Sequence, residues 1–231
     1  ILFTGEIKVK GITPIIAFVS VLPRIKTVCE ILSVSGELRE PIVKKIVGSD
    51  TETVHKEHGI LYKMDVTKVM FSKGNLGERS RLIARSGERV LDMFAGIGYF
   101  SLSLAKQGAN VTSIEKNPVA FHYLKENIKL NNVKINAINS DCRDFSINHE
   151  FDRILMGYFP GTEKFLPTAL KMIKNNGIIH FHNTYRENEL WSSPIKQISN
   201  VIDNFKIINK KKVKSVAPHT WHVVIDFSVE K

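Results

Sequence analysis

From Val90 onward the chain alternates short apolar runs with stretches whose apolar residues return every third or fourth position, the rhythm of strands exchanging with helices. Val90-Leu91-Asp92-Met93-Phe94 opens the series as a strand holding one carboxylate. Ala95-Gly96-Ile97-Gly98 follows as a turn that only small residues make tightly, and residues 99–106 continue at helical spacing. Residues 110–114 form a second strand, closed by Glu115 nineteen residues after Gly96. Asn117-Pro118 supplies a cap and a proline at the first helical position of a helix striped by Ala120, Leu124 and Ile128 and ending at Asn131-Asn132. Strands are then expected at 135–139, 151–157 and 178–183, with a helix over 162–174 stopped by Asn175-Asn176-Gly177. A helix over 187–204, interrupted at Pro194, leads to an antiparallel pair at 205–217 and 221–229.

Residues 1–67 lack that alternation. Strands at 5–10, 15–21, 42–47 and 60–66, broken by Glu37-Leu38-Arg39-Glu40-Pro41, make a small α+β region there. His55 and His58 lie three apart with no third ligand, so an exposed polar turn is expected and no metal. The larger unit then runs from 68 to 231, beginning with a loop and a helix over 76–85. Leu76, Leu82 and Ile83 separate there from Glu78, Arg79, Arg81 and Arg85 on another face.

The glycine turn and Glu115 together point to a nucleotide. Backbone must approach the ligand closely at the turn, which a Cβ prevents, and a carboxylate at the end of the second strand accepts both ribose hydroxyls. A dinucleotide site places a third glycine three residues after the second, where this chain has Ser101. Asp92 ahead of the two glycines instead resembles the S-adenosylmethionine pattern of class I methyltransferase-like enzymes. In such a sheet the ligand lies at the carboxyl ends of the strands, which puts Asp141 near an adenine amino group and loop 157–161 on catalytic ground. His180 and His182 flank Phe181 and share a face, either as a packed pair at the edge of the core or as site residues. Ser72 and Arg79 would hold a carboxylate by a hydroxyl and a guanidinium fork; the plainer reading is a helix cap with a solvated basic face.

Charge adds a partner to this picture. The net charge of +10 over 231 residues attracts a polyanion and makes association salt-sensitive. Lys206, Lys210, Lys211, Lys212 and Lys214 crowd into the 205–217 strand, where they bind phosphates or keep an edge strand from pairing. Cys29 and Cys142 are the only cysteines, too few for a disulfide scaffold or a zinc site, so a reducing cytoplasm is the expected setting. The longest apolar run, 12–22, contains Pro14 and is too short to span a membrane. The chain begins at Ile1 rather than Met, which points to a missing N-terminal piece.

The layout of five alternating strands and a final antiparallel pair resembles a class I S-adenosylmethionine-dependent transferase, an α/β fold with a Rossmann-like seven-stranded sheet of order 3-2-1-4-5-7-6. Thr53-Val54-His55-Lys56-Glu57-His58-Gly59, Met64-Asp65-Val66, Phe71-Ser72-Lys73-Gly74-Asn75, Asp92-Met93-Phe94-Ala95-Gly96-Ile97-Gly98-Tyr99-Phe100 and Glu115-Lys116-Asn117-Pro118 narrow the resemblance. Together they are similar to the archaeal and eukaryotic family of tRNA guanosine-modifying enzymes, over roughly the last three quarters of the chain.

One branch of that family methylates N1 of the guanosine just 3′ of the anticodon and carries Asn-Leu-Pro or Asn-Pro-Pro after strand four. Met156-Gly157-Tyr158-Phe159-Pro160 and Ile179-His180-Phe181-His182-Asn183 resemble instead the wybutosine branch. Members of that branch move the α-amino-α-carboxypropyl group of S-adenosylmethionine onto demethylwyosine in tRNA-Phe. The resemblance implies Ser72 and Arg79 toward the methionine part, Glu115 on the ribose, Asp141 and the Cys142 backbone on adenine, and Asp92, Gly96 and Gly98 as further cofactor-binding positions, the glycines by letting the backbone approach. It implies a monomer that binds tRNA and no membrane. No general base can be picked, and Tyr158, His180 and His182 stand as catalytic candidates. An N1-guanosine methyltransferase and a non-catalytic RNA-binding module are the competing readings.

Overall fold

The structure is a computed structural model that describes residues 2–3, 25, 27–71 and 75–230. It divides into two compact units, residues 1–71 and 72–231. In the first, β1 (Leu2–Phe3) runs parallel to β2 (Val28–Ser35), and β2 pairs antiparallel with β3 (Glu40–Val47). The strands expected at 5–10 and 15–21 lie outside the described residues, which contain no helix in this unit.

β4 (Glu52–Glu57) and β5 (Ile60–Asp65) form a separate hairpin. His58 and Gly59 both take positive φ, 48° and 77°, the two-residue turn whose twist matches that of paired strands. Only His58 is therefore the exposed turn residue expected for this pair. His55 sits half-buried on β4, with its ring edge-on to Phe71 at 5.0 Å. Past β5 the amides of Lys68 and Val69 bond back to Asp65 O at 3.0 and 3.1 Å. The unit accordingly runs to Phe71, four residues beyond the boundary read from the sequence.

In the second unit β6 (Arg89–Asp92), β7 (Asn110–Glu115), β8 (Ile135–Asn139), β9 (Phe151–Met156), β10 (Ile173–Arg186), β11 (Phe205–Ala217) and β12 (Thr220–Val229) make one sheet. Its spatial order is β8-β7-β6-β9-β10-β12-β11, which in chain order within the sheet is 3-2-1-4-5-7-6. The first five strands are parallel, while β12 is antiparallel to both of its neighbours. The chain leaves β6 for β7 on one side and returns to β9 on the other, and this reversal opens a crevice at the carboxyl ends of both.

Period-two alternation assigns the two faces of the sheet. Leu91, Met93, Ile154, Met156, Ile179, Phe181 and Phe227 form one buried layer with Leu166 and Ala169 of α4 (Leu166–Met172) and Ile198 of α5 (Ser192–Ser199). Val90 and Leu155 face the opposite way and meet Leu104 of α2 (Ser101–Lys106). Each such side chain contributes about 1.5–3 kcal/mol by leaving water. The sheet thus organises helices that are too short to persist alone, among them α1 (Leu76–Arg81). Among the described residues only α3 (Pro118–Leu130) has length and a strong cap, Asn117 Oδ1 accepting from Val119 N at 2.8 Å.

Several boundaries differ from the sequence reading for physical reasons. α1 stops at Arg81 instead of 85, because Leu82 turns extended, with ψ 115°, and buries itself beside Val90. Its Glu78 and Arg79 are buried rather than solvated, at 1% and 4% exposure. The stretch 162–174 opens as a 3-10 turn (Thr162–Phe165) before α4, and Asn175-Asn176-Gly177 become an irregularity inside β10 rather than a loop. Pro194 does not interrupt a helix. It is the third residue of α5, in the first turn, where a missing amide hydrogen leaves no bond unmade.

Candidate functional site

Beyond β6 the chain passes through two left-handed residues, Gly96 at φ 56° and Gly98 at φ 100°. A Cβ on Gly96 would run into the Tyr99 ring, and one on Gly98 would lie 2.7 Å from Leu102. Both glycines are therefore demanded by the turn itself, whatever approaches it. Asp92 is fully buried beneath them. Its Oδ2 accepts from Ser101 Oγ at 2.7 Å and its Oδ1 from Phe94 N at 3.3 Å, while Ser113 Oγ donates to Ser101 Oγ at 2.8 Å. Burial pushes the Asp92 carboxyl up to about 6, the hydrogen bonds opposing it. In this arrangement the Asp92 side chain serves the turn.

Glu115 closes the second side. Its Oε2 accepts from Gly96 N and its Oε1 from Asn117 N, each at 2.7 Å, and burial raises its carboxyl above the usual range. Backbone amides thus take part of the acceptor capacity of this carboxylate, and a carboxylate has room for further donors such as a ligand hydroxyl. Pairing of Glu115 with Asn139 brings the polar loop after β8 alongside. There Arg143 donates to Asp141 through Nε at 2.9 Å and Nη2 at 2.6 Å, and Lys116 Nζ lies 3.0 Å from Oδ2. The Arg143 guanidinium holds the Asp141 carboxyl well below the ordinary carboxylate range. Cys142 is buried, and its thiol is pushed up to about 12 by that burial, so its backbone is the part suited to a ligand. Arg79 is buried on α1, whereas Ser72 lies outside the described residues.

The loop after β9 closes the remaining side. A Cβ on Gly157 would stand 3.1 Å from the Phe100 ring, so strand end and glycine turn pack in direct contact. Tyr158 stacks on Phe94 with centroids 5.1 Å apart and meets Phe165 edge-on at 5.9 Å. Phe159 stacks on His222 at 4.0 Å, and Thr162 Oγ1 donates to Tyr158 O. Of the candidate bases, His180 is buried with both ring nitrogens occupied. Arg153 Nη1 donates to its Nε2 at 3.0 Å, so Nδ1 carries the hydrogen that reaches Asp226 Oδ1 at 2.6 Å. Burial, with the Arg153 and Arg81 guanidiniums, lowers the pKa of this ring, and Asp226 opposes the shift. His182 Nδ1 lies 3.0 Å from His222 Nε2, and desolvation lowers the two rings to about 3 and about 2.

One feature had no counterpart in the sequence reading. Lys211, Glu78, Arg81, Asp226, His180, Arg153 and Glu88 form a continuous chain of polar contacts, in which His180 joins Asp226 to Arg153, from the outer edge strand to the centre of the sheet. The only trace in the sequence is Asp226, a lone carboxylate inside the apolar run Val223-Val224-Ile225-Asp226-Phe227.

The family described as TRM5/TYW2 methyltransferase domain matches residues 53–209. The tRNA(Phe) (4-demethylwyosine(37)-C(7)) aminocarboxypropyltransferase of Methanocaldococcus jannaschii is 44% identical over 86% of this chain and 83% of its own length. A TYW2 structure from Pyrococcus horikoshii in complex with MeSAdo superposes with a TM-score of 0.85 at 42% identity, covering 93% of this chain and 81% of that one. The tRNA (guanine(37)-N(1))-methyltransferase Trm5b of Pyrococcus abyssi is 36% identical over 85% of this chain and 61% of its own length.

Proposed function

The chain belongs to the TRM5/TYW2 family, and from that premise we propose that it moves the α-amino-α-carboxypropyl group of S-adenosylmethionine onto C7 of the demethylwyosine base 3′ of the anticodon in tRNA-Phe. It is a transferase acting on tRNA with S-adenosylmethionine as co-substrate. In this reading it works as a cytoplasmic monomer. No helix among the described residues is long and apolar enough to cross a membrane.

Glu115 takes the ribose hydroxyls, Asp141 and the Cys142 backbone take adenine, and Gly96 and Gly98 let the main chain approach. Ser72 and Arg79 take the methionine carboxylate. A sulfonium activates three carbons at once, so the protein's part is to decide which of them lies in line with the nucleophile. Held by its carboxylate, the methionine arm presents Cγ to C7 of the base. The C7–Cγ bond forms and the Cγ–S bond breaks with its electron pair returning to sulfur. Methylthioadenosine departs and the C7 proton is released. The sulfonium supplies the leaving group, so positioning accounts for most of what the protein contributes.

The observation that supports this choice is the loop after β9. Gly157 and Tyr158 stand where the methylating branch has an amide side chain, and the Tyr158 ring is engaged with Phe94 and Phe165. No group there is suited to clamp the amide edge of guanine for N1 methylation. S-adenosylmethionine labelled separately on the methyl and on the carboxyl carbon tests the reading. Only the carboxyl label should enter tRNA, with methylthioadenosine left behind. Methyl label in the tRNA with S-adenosylhomocysteine as co-product would establish the methyltransferase instead.

A further inference from the structure

Helix α1 spans six residues, too few to hold a fixed shape in water, yet it carries the buried Arg79. The charges on either side of Arg79 supply the missing anchorage. Glu78 Oε1 lies 2.8 Å from Lys211 Nζ of β11, and its Oε2 accepts from Arg81 Nη2 at 2.8 Å and Nε at 3.0 Å. Arg81 reaches on to Asp226 of β12, donating from Nη1 to Oδ2 and from Nη2 to Oδ1 at 3.2 Å. Asp226 also accepts from His180 Nδ1 at 2.6 Å and from Asn209 Nδ2 at 3.1 Å, which fixes its own orientation. The Glu78 and Asp226 side chains are 1% and 5% exposed, so salt and solvent screen these bonds little.

Buried ion pairs of this kind are close to break-even against apolar packing of the same volume. Stability alone therefore gives a poor account of why a charged chain stands where Leu or Met would serve. What it provides is direction. A guanidinium gripped by two carboxylates tolerates little displacement, and Arg79 lies between the two anchored positions, one residue past Glu78 and two before Arg81. A shift of α1 large enough to move Arg79 must break an anchor.

We infer that Asp226 is a positioning residue of the transfer reaction, acting through Arg81 to fix α1 and so the place of the Arg79 guanidinium against the methionine arm. The inference rests on the proposed role of Arg79.

Calorimetric titration with two probes separates its parts. S-adenosylmethionine carries the aminocarboxypropyl arm, and methylthioadenosine lacks it. Asp226→Asn should weaken S-adenosylmethionine by about 10- to 100-fold while leaving methylthioadenosine unchanged within error. Arg81→Lys, which keeps a cation facing Asp226, should show a smaller loss of the same selectivity. Equal weakening of both probes, or of neither, overturns the inference. If Asp226→Asn fails to fold, Lys211→Gln tests the other anchor at a side chain 40% exposed, and the same selective loss is required of it. Arg79→Ala serves as reference. Should it lose both probes equally, the assignment of Arg79 falls and the inference with it. Should Arg79→Ala be selective while Asp226→Asn matches wild type, the inference alone falls.

Discussion

Glu115 Oε2 accepts the Gly96 amide at 2.7 Å, so the acidic end of β7 and the glycine turn after β6 are tied directly to each other. Glu115→Ala removes this tie, the bond to Asn117 N and the proposed acceptor for the ribose together. It should weaken S-adenosylmethionine by about 2–3 kcal/mol, as expected when a charged acceptor is lost from groups that stay buried. Glu115→Gln retains one acceptor oxygen and should lose less. Calorimetric affinity equal to wild type in Glu115→Ala would take this residue out of the site.

The neighbouring carboxylate makes a pH prediction. Burial raises Asp92 to about 6 in the folded protein, whereas an unfolded chain releases that proton near pH 4. Between those values the folded state binds more protons, so the stability contributed by this group is present at low pH and is lost as pH rises through 6. A displacement of that size corresponds to about 3 kcal/mol. Asp92→Asn cannot ionise, and its stability relative to wild type should therefore improve by up to about 3 kcal/mol between pH 4 and pH 7. Denaturant unfolding at the two pH values measures this. A wild-type-to-variant difference that is independent of pH would show that the Asp92 proton plays no part in folding.

Periodicity made the sheet legible because its strands are governed by burial. Residues 135–139 and 205–217 are strands with the bounds the pattern gave, and Glu115 closes the second strand of the sheet as expected. It misplaced residues whose environment is set by distant partners. Glu78 and Arg81 look solvated on a helical wheel, yet Arg81 pairs with Asp226, 145 residues away, which no local window can see. Pro194 and Asn175-Asn176-Gly177 carry correct breaker chemistry, but a first helical turn and a strand irregularity absorb them. Lys211 reads as one of five equivalent lysines until its ion pair with buried Glu78 sets it apart.

That distinction changes which lysines should contact RNA. Lys206, Lys210 and Lys212 are exposed on alternate positions of β11, with Lys212 Nζ 4.7 Å from the Trp221 ring centroid and paired to exposed Glu187. Replacing these three by Gln should flatten the dependence of log affinity for tRNA on log salt by about two to three, at 0.7–0.9 per phosphate contact. Lys211→Gln should leave that slope nearly unchanged. Fluorescence anisotropy of labelled tRNA across a salt series reads both. An unaltered slope in the triple variant would return the strand to the role of a protected edge.

Tyr158 distinguishes a chemical from a packing role in the loop after β9. Its ring packs on Phe94, in the strand-to-turn segment after β6, and on Phe165 at the start of α4, so it links loop 157–161 to the carboxyl end of β6. Aromatic pairs of this kind contribute about 0.5–1.5 kcal/mol each beyond the area they bury. If the ring is what matters, Tyr158→Phe keeps both contacts and should retain transfer within about threefold, a loss below 1 kcal/mol. Tyr158→Ala removes both and should lower kcat/KM by about 10- to 100-fold, chiefly through misplacement of the loop against the base. Single-turnover transfer from carboxyl-labelled S-adenosylmethionine measures the two variants on one scale. A Tyr158→Phe rate as low as that of Tyr158→Ala would instead assign the work to the phenolic hydroxyl, making Tyr158 a proton donor or acceptor in the step itself.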